Sequence, residues 1–67
     1  MAPIKTMARR LKQLREKQGL SQEALAKKAH LSRTYLARLE TARQDPSLTT
    51  LERLAKALRV KVGALLE

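Results

Sequence analysis

Two serines eleven residues apart, Ser21 and Ser32, each stand one residue ahead of a stretch whose apolar positions recur at three- and four-residue steps. The apolar set is Leu25, Ala26, Ala29, Leu31, Leu36 and Leu39, and its phase resets around His30 and Leu31. A serine hydroxyl so placed accepts a hydrogen bond from the otherwise unpaired amides of a helix's first turn, so each serine marks a helix start. Eleven residues hold about two helical turns and one tight connection. The spacing predicts a helix-turn-helix over about residues 20–41.

The remainder reads the same way. Leucine and alanine dominate, β-branched residues are sparse and no alternating strand pattern appears, so the expected fold is all-α with five helices. The first runs from about Thr6 to Gln18, with Met7, Leu11 and Leu14 on one side and Gly19 as the residue that turns left-handed to end it. After the central pair, a polar connection from Thr41 to Pro46 stops the helix, and Ser47 caps the next one, about Leu48 to Leu58. There Leu48, Leu51, Leu54, Ala55 and Leu58 form an apolar stripe, while Glu52, Arg53 and Lys56 face away. A last turn over Val62 to Leu66 ends the chain, and residues 1–4 are expected to be disordered.

Sixty-seven residues allow one domain, 1–67, whose single core supplies only about 3–5 kcal/mol unless something staples it. With no cysteine, disulfides and thiolate metal sites are excluded, and the one histidine, His30, builds no metal cluster. Self-association is the remaining staple. Val60, Val62, Leu65 and Leu66 crowd the chain's end, where little core is left to cover them, and they are the expected homodimer surface. No secretory segment or membrane span is visible, which makes the expectation a cytoplasmic protein. Fifteen Lys and Arg against six Asp and Glu give a net charge of +9, a field that attracts polyanions. Nucleic acid is the expected partner. One tyrosine and no other aromatic make no stacking platform for single strands, and a helix-turn-helix reads duplex DNA, so double-stranded DNA is the expected partner. No glycine-rich phosphate loop, nucleophile with its base, or paired carboxylates are present, and neither enzyme activity, a cofactor nor a small-molecule ligand is expected.

On the second helix of the pair, Arg33, Thr34, Ala37, Arg38 and Thr41 share one side, roughly opposite Leu36, Leu39 and Glu40. A guanidinium makes a forked pair of bonds to guanine O6 and N7, and a threonine methyl touches thymine, so Arg33, Arg38 and Thr34 are the candidate base readers. Phosphate contact, which sets register without reading sequence, is the competing role for each. Ser32, Tyr35, Thr41, Arg43 and Gln44 are the candidate phosphate contacts, together with the free amides at the helix starts.

Three segments at mutually fixed spacing, LREKQGLSQEALA, SRTYLARLE and PSLTTLERLAKAL, make residues 5–66 resemble the phage-repressor-like, Xre-type (Cro/repressor) helix-turn-helix family. The RTY of the third helix is most similar to controller proteins of restriction–modification systems. The resemblance implies a lambda-repressor-like five-helix domain that binds inverted-repeat operator DNA as a symmetric homodimer and regulates transcription. It adds Gln22, at the start of helix two, as a residue set against backbone and base. It also implies an ion pair between Arg15 and Glu40 that ties the reading helix to the scaffold. Three positions where such proteins often have glycine hold His30, Ala42 and Arg59 instead, each penalised in a left-handed backbone, so the turns there are expected to be shaped differently. The alternative of a different class is an antitoxin or bridging module with the same fold, attached to DNA by charge and to a protein by shape.

Overall fold

The computed structural model describes residues 4–67, which form α1 (Ile4–Lys17), α2 (Gln22–Lys28), α3 (Arg33–Glu40), α4 (Leu48–Leu58) and α5 (Gly63–Leu66), with no strand among them. The expected disorder of residues 1–3 lies outside the described residues. Ile4 departs from that expectation: it starts α1 and packs against the core, because the stripe of Met7 and Leu11 extends back one turn to it.

The three serines act as the spacing requires. Ser21, Ser32 and Ser47 have extended backbones, and their hydroxyl oxygens accept bonds from the amides of Ala24 (3.0 Å), Tyr35 (3.0 Å) and Thr50 (3.1 Å). The helix ends are alike too. After each of α1 to α4 one residue turns left-handed: Gly19 (φ 70°), His30 (57°), Ala42 (59°) and Arg59 (57°). The following amide reaches back five residues, Leu20 to Arg15, Leu31 to Ala26, Arg43 to Arg38 and Val60 to Ala55, closing a Schellman motif each time. The turns at His30, Ala42 and Arg59 are thus not shaped differently, as their lack of glycine led one to expect: these three are the non-glycine residues with positive φ among the described residues, held there by the same closing bonds as Gly19. Ala42→Gly is therefore expected to stabilise the protein by about 0.5–1 kcal/mol. In a domain of this length that is a rise of several degrees in Tm, about 4–8 °C per kcal/mol; an unchanged or lower melting temperature would refute it.

The core is nearly all leucine: Leu11, Leu25, Leu36, Leu39, Leu54, Leu58 and Leu65 are fully buried, each contributing about 1.5–3 kcal/mol of transfer free energy. Ala26, Ala29 and Ala55 sit between them where helices approach closely. Leu48 departs from the expected stripe of α4. As the helix's first residue it lies beyond the reach of the neighbouring helices and is 67% exposed. Two long-range bonds lock the ends of the fold, Gln18 Nε2 donating to the Leu58 carbonyl (2.6 Å) and Arg10 Nε to the Ala64 carbonyl (3.1 Å). No helix among the described residues is long and apolar enough to cross a membrane.

Candidate nucleic-acid interface

The candidate contacts gather on the starts of α2 and α4, on α3 and on the loop that follows it. Arg33, Thr34 and Arg38 are exposed along α3, while Leu36 and Leu39 on its other side have no exposed surface. The helix thus presents its polar side outward because its apolar side is wholly used by the core. Ser32 uses its hydroxyl oxygen to cap α3, which leaves the hydroxyl proton free to donate to a phosphate.

What holds α3 in place is a buried charged network. Glu40, whose side chain is 2% exposed, takes a forked pair of bonds from Arg15, Nε to Oε2 at 2.6 Å and Nη2 to Oε1 at 3.0 Å. Arg15 Nη1 donates to the Leu20 carbonyl at 2.8 Å, and Gln22 Nε2 donates to Glu40 Oε1 at 3.1 Å. The bonds from Glu40 hold the Arg15 guanidinium above the usual arginine range against the opposing effect of burial, so this cation stays charged. Every buried polar side-chain atom among the described residues finds a partner. Gln22 is thereby more than a surface residue: its half-buried side chain is aimed by Glu40, leaving its carbonyl oxygen and second amide hydrogen without a partner among the described residues. Nothing local in the sequence signals this link, since the partners stand 18 residues apart.

Two candidate phosphate contacts are otherwise engaged. The Thr41 hydroxyl points back into its own helix, 3.1 Å from the Ala37 carbonyl and 3.2 Å from that of Arg38. Its single proton is committed there, and a phosphate, which only accepts, receives nothing from it in this rotamer. The Tyr35 ring packs against the core, and its hydroxyl lies 3.4 Å from Thr50 Oγ1. Thr50 is itself buried and takes a 3.0 Å bond from the Ser47 hydroxyl, so Tyr35, Thr50 and Ser47 join α3 to the start of α4. Arg43 is exposed and Gln44 half-buried in the α3–α4 loop.

A helix-turn-helix family model matches residues 11–65, spanning α2 and α3 and their supports. The chain belongs to the Xre-type helix-turn-helix family. The immunity repressor of Bacillus phage phi105 is 48% identical over 60 residues, covering 90% of this chain and 42% of the repressor. Among solved structures, the restriction–modification controller protein C.AhdI from Aeromonas hydrophila superposes with a TM-score of 0.90 at 35% identity, covering 92% of this chain and 94% of that one. The biofilm regulator SinR in complex with DNA gives a TM-score of 0.87 at 37% identity over 91% of this chain and 98% of that one; SinR of Bacillus subtilis is 56% covered. The chain thus spans about two fifths of the phage repressor's length and just over half of SinR's.

As a member of this family the chain shows its charge openly. Arg15–Glu40 is the one ion pair among the described residues, so the remaining cations there are unneutralised by close carboxylates. No group of three or more His, Cys, Asp or Glu among the described residues could hold a metal ion. At the C-terminal end the expected dimer surface needs one correction. Leu65 has no exposed surface, because α5 lies across α1 and turns this residue into its own chain's core. Leu66 is 40% exposed, and Val60 and Val62 are half-buried.

Proposed function

We propose that this chain is a sequence-specific double-stranded DNA-binding regulator of transcription, with α3 entering the major groove of an inverted-repeat operator. The observation that carries the reading is the division of α3. Its inner side is clamped by Leu36, Leu39 and the Glu40 network, while Arg33, Thr34 and Arg38 stand free outside. A rigid helix with forked donors on its outer face supplies base discrimination, and the net charge of +9 supplies attraction to phosphate. The names of its relatives, a phage immunity repressor, a controller protein and a regulator bound to DNA, support the same role. In this reading the protein binds without catalysis, in the cytoplasm, with Gln22, Arg33, Thr34 and Arg38 at the bases. Ser32, Arg43 and Gln44 hold phosphates. Selection from random duplexes is expected to enrich one two-fold symmetric sequence whose binding survives moderate salt. Recovery of no preferred sequence, with affinity collapsing uniformly as salt rises, would point instead to an architectural or partner-bound module.

The functional unit is a homodimer joined through Leu66 with Val60 and Val62, its half-sites about one helical turn, roughly 34 Å, apart. Leu66→Asp is expected to leave the monomer folded while weakening dimerisation and DNA affinity together, its melting temperature falling only by what association contributes. Leu65→Asp places a charge in the core and is expected to abolish folding. Sedimentation of a monomer both free and on DNA would exclude this arrangement.

A further inference from the structure

The turns that end α2 and α4 meet at a place the proposed DNA contacts do not use. Lys28 and His30 at the end of α2 and its turn, and Arg53, Lys56 and Arg59 from the middle of α4 to the turn after it, line one open cleft of about 370 Å³. Ala29 and Ala57 form its remaining lining, and no carboxylate is among the lining residues. None of its lysines and arginines makes an ion pair within the described residues. The candidate DNA contacts on α2 and α4 sit at the helix starts, Gln22 and the free amides that follow the Ser47 cap. At 1.5 Å per residue, Lys28 stands roughly 9 Å along α2 from Gln22, and Arg59 roughly 18 Å along α4 from Ser47.

Helix ends explain part of this charge, since a cation in a last turn complements the exposed carbonyls. They do not explain Arg53, which lies mid-helix, nor the residues at the two left-handed positions. His30 and Arg59 both hold φ at 57°, where glycine sits without strain, and both line the cleft. Backbone strain kept at a position that supplies a donor is a mark of a site. Ala42, the third such residue, lies outside the cleft and supplies no donor.

We propose that this cleft binds a small anion bearing a linear di- or triphosphate chain. Its volume lies within the range of small-ligand pockets. The four cations Lys28, Arg53, Lys56 and Arg59 carry more positive charge than one phosphate group, at about −1.5 to −2, neutralises, so they suit a chain of phosphates. Arg53 and Arg59 offer forked donors to paired oxygens, and Lys28 and Lys56 offer point charges. His30 offers the one ring in the lining and the alanines none, too little to sandwich a base, so the phosphate chain is what is read, whether free or attached to a nucleoside.

The test is a titration with inorganic tripolyphosphate at about 0.15 M salt, followed by amide NMR shifts. Saturable shifts are expected at Ala29, His30, Ala57 and Arg59, with Thr34 and Ala37 unmoved and ATP binding about as tightly. The double replacement Lys56→Gln with Arg59→Gln is expected to weaken binding about tenfold or more while leaving the unliganded melting temperature in place, and Arg33→Ala to leave binding unchanged. Shifts that do not saturate, or that run equally along α3, overturn the proposal. So does an oligoglutamate peptide or duplex DNA displacing tripolyphosphate from the same amides at lower concentration, which would assign the cleft to a macromolecular partner.

Discussion

Arg15→Ala is expected to leave the protein largely unfolded at room temperature, and Glu40→Ala to be the milder of the two. Breaking a buried pair from one side costs about 3–5 kcal/mol, because one charge is left without a counter-charge. A single core of this size supplies about that much in total. The asymmetry comes from burial. Removing Arg15 strands a carboxylate whose side chain is 2% exposed and which keeps only the Gln22 amide. Removing Glu40 strands a guanidinium that is 11% exposed, still bonds the Leu20 carbonyl and can swing its head towards water. The double replacement is expected to lose less than the sum of the two, as coupled partners do. Urea unfolding of the four proteins in TMAO, which shifts the weakened variants back towards the folded state, reads the coupling, and additive losses would remove the network from the account of stability.

Arg33→Ala and Arg38→Ala are expected to weaken binding to the selected operator by about 1–3 kcal/mol per half-site, each relaxing preference at one base position. Arg43→Ala, in the exposed loop, is expected to weaken all duplexes alike and to flatten the slope of log affinity against log salt by about 0.9 per subunit for the lost phosphate contact. Affinities on selected and scrambled duplexes separate the two behaviours. If the α3 arginines lower both equally, they hold phosphates. Discrimination then rests on Thr34, on the Gln22 aimed by Glu40, or on the deformability of the DNA.

The sequence by itself determined what is local. Ser21, Ser32 and Ser47 cap the helices they precede, and Gly19 ends α1 in left-handed backbone. Each of these depends on bonds that span three to five residues, which side-chain type and spacing encode directly. The division of α3 into a buried and a free side was legible for the same reason, since a fixed helical period assigns every residue a face. The tertiary structure alone decided which ends of those helices meet. It gave Glu40 a second partner in Gln22, drew the Tyr35 hydroxyl to Thr50, and set the turns of α2 and α4 around one cleft. It also chose Leu65 over Leu66 for the core and left Leu48 outside it. A helix of four residues carries too little periodicity to name its inner face, and the first residue of a helix is buried only if a neighbour reaches that far. Those outcomes follow from how α5 lies on α1 and where α4 begins, contacts between segments whose separation along the chain leaves no mark on either one.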